Sequence, residues 1–314
     1  MIRLLLPLAL AAGVVAAQPK ADPKPPGVPP TAADVAYGTH PRQVLDFWQA
    51  KSDAPTPLVF CVHGGGWVNG DKSSYNAAVP AYLKAGISVV SINYRLVTQA
   101  VEAGVEPPVK WPVADAARAL QFVRSKAKEW NLDKTRIGAT GGSAGGCSSL
   151  WLLYHDDLAD PKSADPVARE STRLFCAAVN GPQTTLDPKV LEEWMPNARY
   201  GGHAFGVRTK ENRDGAFAQF REQREKLLPW IAEYSPATHV TPGDPPVFME
   251  FPSQKTPPVK GEAQADPTHS ALLGLILMEK LKEAKVEGIV VYPGHPHERY
   301  KTSADFLIDR LKAK

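Results

Sequence analysis

Between a β-branched run and a stretch of helical periodicity stands Thr140-Gly141-Gly142-Ser143-Ala144-Gly145-Gly146. Few folds place so many small residues at a strand-to-helix junction. The segment contains G-x-S-x-G at Gly141, Ser143 and Gly145, a pattern whose context matters more than its letters. A serine hydroxyl is a poor nucleophile unless it is held exposed beside a base. A sharp turn with small neighbours does this by projecting Oγ from a strained backbone. Ser143 is therefore the candidate nucleophile.

A second glycine cluster, His63-Gly64-Gly65-Gly66-Trp67, directly follows the apolar run Leu58 to Val62. Glycines there let main-chain N–H groups approach a ligand closely, as a donor pair for a developing oxyanion requires. Gly65, Gly66 and Ala144 are the candidate oxyanion donors, and Trp67 is a candidate substrate contact.

The rest of the body alternates in the same way. Runs at 57–62, 87–93, 136–140, 175–180, 246–251 and 288–292 read as strands. Helical spacing marks 114–130, 144–155, 272–284 and 303–311. That order predicts an α/β fold with a doubly wound, mostly parallel sheet. The segment at about 191–234, with Trp194, Tyr200, Phe205, Phe217, Phe220 and Trp230 among many charges, reads as a small helical cap.

The N-terminus reads as an export signal over residues 1–17, with Arg3 preceding an apolar run and Val15-Ala16-Ala17 as a small-residue cleavage site. The run is short of the roughly 20 apolar residues that span a bilayer, so no stable membrane span is expected. Residues 18–30 form a proline-rich linker, and the folded domain is expected over 31–314, in a secreted or periplasmic protein. Cys61, Cys147 and Cys176 read as small buried hydrophobes rather than a redox or metal motif, with one disulfide plus a free thiol as the alternative. The 36 Lys and Arg are balanced by 33 Asp and Glu, a formal charge of +3, and form no nucleic-acid surface. Nothing matches a phosphate-cradling loop or a metal cluster, so no cofactor and no metal are called for.

The combination of His63-Gly64-Gly65-Gly66-Trp67, Ser91-Ile92-Asn93-Tyr94-Arg95-Leu96, Asp115-Ala116 and Gly142-Ser143-Ala144-Gly145-Gly146 resembles the hormone-sensitive-lipase-like and feruloyl-esterase-like (BD-FAE-like) branches of the α/β-hydrolases. The resemblance implies a carboxylesterase acting through a Ser-Asp-His triad on short-chain acyl or carbohydrate-linked esters, with the acid after a late strand and the histidine after the last. Asp266 is then the better acid, with Glu250 and Glu262 as alternatives, while Asp244 reads as a turn residue. In Pro293-Gly294-His295-Pro296-His297-Glu298 the family spacing favours His297 as base over His295. His203 and His269 read as a polar residue of the cap and a solvent-facing helix start. The alternatives are an inactive relative that binds a small ligand and a secreted serine peptidase on the same fold.

Overall fold

The computed structural model describes residues 27–207 and 213–313. The expected signal segment and residues 18–26 of the expected linker lie outside the described residues. Among the described residues, eight strands form one sheet: β1 Ala32–Ala36, β2 Val44–Trp48, β3 Thr56–Val62, β4 Ser88–Ile92, β5 Leu132–Gly142, β6 Cys176–Asn180, β7 Val247–Glu250 and β8 Gly288–Val291. Their spatial order is β1-β2-β4-β3-β5-β6-β7-β8. The β1–β2 and β2–β4 pairs are antiparallel, and every pair from β4–β3 onward is parallel.

The helices are α1 Val79–Lys84, α2 Val97–Glu102, α3 Lys110–Ser125, α4 Ala144–Tyr154, α5 Pro188–Trp194, α6 Arg213–Glu222, α7 Arg224–Tyr234, α8 Ala271–Ala284 and α9 Ser303–Lys312. They cover both faces. Leu58, Phe60 and Val62 of β3 point into a core shared with α3, α4 and α8, while Val59 and Cys61 face α1 and α9. A strand covered on both sides carries apolar residues without alternation, which is why β3 and β4 read as continuous runs.

Two differences from the sequence pattern have local causes. Strands β1 and β2 do not stand out in the sequence: β1 is an edge strand with a largely exposed pattern, and Asp46 interrupts the apolar run of β2. Helix α3 begins four residues before the predicted Ala114. Pro112 lies in its first turn, where a missing N–H leaves no intrahelical bond unmade. Cys61, Cys147 and Cys176 are all buried and unpaired, and burial pushes each thiol up.

Between β6 and β7 the chain inserts α5, α6 and α7 above the sheet. The C-terminal ends of β3, β5 and β7, the inserted helices and the long 251–270 connection converge there. In an open α/β sheet this is the crevice where ligands bind.

Candidate active site

Ser143 occupies the junction of β5 and α4 with φ 52° and ψ −122°, a left-handed conformation that costs a non-glycine residue strain. The surroundings over-determine it. Its N–H donates to the Asn180 carbonyl at 2.8 Å, and its own carbonyl accepts from Cys147 at 2.9 Å. A Cβ on Gly145 would stand 2.1 Å from the Val62 carbonyl oxygen, so β3 and α4 approach this closely only with glycine there. Ala144 is the first residue of α4, and the amides of that turn lack intrahelical acceptors, which favours negative charge at the helix start.

His269 meets Ser143 from the connection between β7 and α8. Its Nε2 lies 3.0 Å from Ser143 Oγ, and its Nδ1 lies 2.8 Å from Asp266 Oδ2. With Nδ1–H donating to the carboxylate, Nε2 keeps its lone pair for the serine hydroxyl. Asp266 and His269 belong to one turn: the His269 amide donates to the Asp266 carbonyl at 3.2 Å and reaches Oδ1 at 3.3 Å.

A buried set of amides behind that turn fixes the connection. Gln254 Oε1 accepts from Ser270 Oγ at 2.9 Å and from the Ala271 amide at 3.0 Å. Gln254 Nε2 donates to the Thr256 carbonyl at 2.8 Å. The Asn197 side chain pairs with the backbone of Gln264, donating to its carbonyl at 2.8 Å and accepting from its amide at 3.0 Å, which joins the connection to the inserted helices.

The 63–70 loop forms the opposite wall. Gly65 has φ 104°, and a Cβ there would lie 2.2 Å from Asn69 Oδ1. The His63 ring is fully buried and stacked on Tyr94, with centroids 4.2 Å apart. Its Nε2 faces Arg42 Nη2 at 3.3 Å, and an arginine only donates, so Nε2 accepts and Nδ1–H donates to the Gly64 carbonyl at 2.8 Å. Burial lowers the imidazole to about 4, which keeps it neutral in this role.

Ser143 and His269 line two adjoining cavities. The larger, about 890 Å³, is bounded by Gly65, Gly66, Asn69, Thr98, Tyr200 and Phe217. The smaller, about 480 Å³, lies beside Ser74, Tyr75, Asn180, Pro252 and Ser253.

Residues 45–180 match the family model described as BD-FAE. Esterase LipC of Mycobacterium tuberculosis is 34% identical over 117 residues, covering 36% of this chain and 27% of LipC. Phenmedipham hydrolase of Pseudarthrobacter oxydans is 30% identical, covering 51% of this chain and 31% of that protein. The chain thus spans about a third or less of the length of these relatives. Among solved structures, a truncated carbohydrate esterase from gut microbiota superposes with a TM-score of 0.65 at 18% identity, over 90% of this chain and 96% of that one. An acetyl ester-xyloside bifunctional hydrolase from Caldicellulosiruptor lactoaceticus gives 0.59 at 24% identity, over 82% and 78%. The chain has the α/β-hydrolase fold.

Within this fold the structure departs from three sequence-based assignments. His297 does not reach Ser143. Its Nδ1 accepts from the Arg299 and Tyr300 amides at 3.3 and 3.2 Å, and its ring stacks on Tyr300. His295 is exposed and turned back on Tyr292, whose carbonyl accepts from the His295 amide at 2.8 Å. The connection after β8 is thus curled on itself, and its far end is tied down by Ser303, whose amide and Oγ donate to Glu250 at 3.0 and 3.1 Å. The same contacts take Glu250 out of reach as the acid, and Glu262 is exposed.

The second departure is His269, which faces Ser143 rather than solvent. Its signal in the sequence is Asp266-Pro267-Thr268-His269: an acid and an imidazole three residues apart in a proline turn can pair within that turn.

The third is Trp67, a candidate substrate contact. The indole is fully buried and donates through Nε1 to Ser148 Oγ at 3.0 Å. That anchorage holds Trp67 at φ 58° and so shapes the loop from behind. Among the aromatics of the 191–234 insertion, Tyr200 and Phe217 line the larger cavity, while Phe205 and Phe220 pack on each other with centroids 5.6 Å apart. His203 of the same insertion donates through Nε2 to the Gly66 carbonyl at 2.9 Å. Asp115, part of the resemblance, is a buried clamp that accepts from the Arg95 amide and guanidinium at 2.6 to 3.2 Å.

Proposed function

We propose that this chain is a serine carboxylic-ester hydrolase in which Ser143, His269 and Asp266 form the catalytic triad. The continuous hydrogen-bonded series from Asp266 Oδ2 through the His269 ring to Ser143 Oγ carries the reading. His269 takes the hydroxyl proton as Oγ attacks the ester carbonyl, and Asp266 stabilises the imidazolium that forms. The backbone amides of Gly65, Gly66 and Ala144 hold the oxyanion. The protonated His269 then passes its proton to the leaving alcohol, and water activated by the same ring releases the acyl group. The two cavities meeting at Ser143 suit the two sides of an ester, and their sizes favour short acyl groups on a larger alcohol, including carbohydrate. The apolar N-terminal segment supports a secreted or periplasmic location.

The experiment pairs turnover of nitrophenyl acetate and butyrate with labelling by a fluorophosphonate probe, for the mature protein and for Ser143→Ala. Turnover and one label per chain, both lost in Ser143→Ala, are expected. Labelling without turnover would move the assignment toward a substrate requiring the cap. A folded protein showing neither would favour the ligand-binding relative, and comparable rates on nitroanilide amides would favour a peptidase.

A further inference from the structure

At the far end of α4, roughly 16 Å from Ser143 at 1.5 Å per residue, three metal-binding side chains converge from separate elements. They are His155, directly after α4, Glu233 in the last turn of α7, and His239, after the 3-10 turn Pro236–Thr238. One nitrogen of each imidazole and one carboxylate oxygen of Glu233 all lie within 4.8 Å of one another.

The hydrogen bonds around them are those of a metal site's outer layer. His155 Nδ1 lies 2.9 Å from the Asp156 carbonyl, and His239 Nε2 lies 2.6 Å from the Glu233 carbonyl. A carbonyl only accepts, so both nitrogens carry protons, and each neutral ring keeps one lone pair on its other nitrogen. Histidines that bind metals are fixed in this manner, by donating the second ring N–H to a carbonyl or carboxylate. For His155 the consequence is specific. Its lone-pair nitrogen Nε2 faces Glu233 Oε1 at 3.2 Å, an acceptor opposite an acceptor. Only a proton or a cation between them satisfies both. A separation of 3.2 Å is close to the roughly 3.4 Å between two ligands on one tetrahedral zinc with bonds near 2.1 Å.

The surroundings hold the rings in place. Trp151 packs on His155 with centroids 4.2 Å apart and meets His239 edge-on at 6.4 Å. Its Nε1 donates to the same Glu233 carbonyl at 2.8 Å. His155 is 17% exposed and Glu233 41%, so an ion could enter from solvent and keep water in the remaining position.

We propose that His155, Glu233 and His239 bind one divalent cation of the zinc class, which clamps the end of α7 in the cap to the end of the helix that begins at Ser143. A two-imidazole, one-carboxylate donor set suits zinc or nickel rather than calcium or magnesium, which take oxygen ligands.

The test titrates zinc, and cobalt as a spectroscopic substitute, into the chelator-treated full chain. One equivalent should bind, with visible cobalt bands of a nitrogen-containing four- or five-coordinate site and a higher Tm. His155→Gln and His239→Gln should each weaken zinc binding by about 10- to 100-fold. Glu233→Gln should weaken it while preserving the backbone carbonyl that caps α7, so that it separates ligation from folding. His269→Ala should bind zinc as the parent does, which excludes the Ser143 site as the source. Absence of zinc binding by the folded parent, or binding unchanged in Glu233→Gln and in both histidine variants, would overturn the proposal and leave a protonated His155–Glu233 ion pair.

Discussion

The three segments that meet at Ser143 are built on two opposite principles. The turn at 140–146 and the loop at 63–70 are fixed sterically: a Cβ on Gly145 or Gly65 would collide with backbone or with Asn69 at about 2 Å, and buried rings brace the rest. The 251–270 connection is fixed by polar contacts. Asp266 and His269 are 41% and 36% exposed, and the residues that hold them are Gln254, Gln264 and Ser270. Steric constraint leaves a signature in residue type, since only glycine serves. An amide network leaves almost none.

The largest effect that would break this comparison concerns which histidine is the base. His269→Ala should lower kcat on nitrophenyl butyrate by roughly 10⁴-fold or more, with the protein still folded. His297→Ala and His295→Ala should stay within about twofold of the parent. If His297→Ala were the inactive variant, the 251–270 connection would be packing and the loop after β8 would carry the base.

That contrast explains what could be read from the chain. The tight glycine segments around Ser143 and at Gly65 and Gly66 stand out beside β-branched runs, and the parallel centre of the sheet follows from strands whose two faces are both buried. Asp266 comes from the family resemblance, which implies an acid after a late strand. His269 was legible only as a helix start, because the Asp-Pro-x-His turn looks the same whether its ring faces water or a serine 126 residues earlier. The spacing after β8 favours His297, yet the Tyr292–His295 turn and the Ser303–Glu250 contacts that hold that loop aside are long-range or register-dependent. The antiparallel edge was hidden by short, interrupted patterns.

A smaller effect sharpens the role of the acid. Asp266→Asn preserves size but offers the His269 ring an amide in place of a charge, so the tautomer with Nε2 ready for Ser143 is no longer favoured. A buried triad acid treated in this way costs about 10⁴-fold. Asp266 is partly exposed, and solvent can stabilise some of the imidazolium, so a loss of roughly 10²- to 10³-fold in kcat is expected, with KM changed little.

On the steric side, His63 ties stability to pH. Its folded value of about 4 lies below the roughly 6.5 of an unfolded chain, so the unfolded state takes up a proton first as pH falls. The contribution of neutral His63 is intact above pH 6.5 and declines between 6.5 and 4, by up to about 3 kcal/mol. Denaturant titrations across that window should show this slope in the parent and a flatter one in His63→Gln, whatever the variant's overall loss. Equal slopes would mean that the ring is protonated in the folded loop, which would require a different partner for Arg42.

The smallest effect tests whether the amide network positions the triad or merely fills space. Gln254→Leu removes the shorter of two acceptors of Ser270 Oγ, the acceptor of the Ala271 amide and the donor to the Thr256 carbonyl. Leaving such groups unpaired costs about 1–3 kcal/mol of stability. If the network only fills space, the loss ends there and kcat is unchanged below the melting transition. If it holds Asp266 and His269 against Ser143, kcat should also fall by roughly 10-fold at temperatures where the variant is fully folded, because small misplacements of a reacting group are expensive. Gln254→Glu keeps the two acceptor contacts on Ser270 and Ala271 but loses the donor to the Thr256 carbonyl, so it should recover part of the rate. Recovery of stability without recovery of rate would separate the two roles and place the positioning element at Asn197–Gln264, on the cap side of the connection.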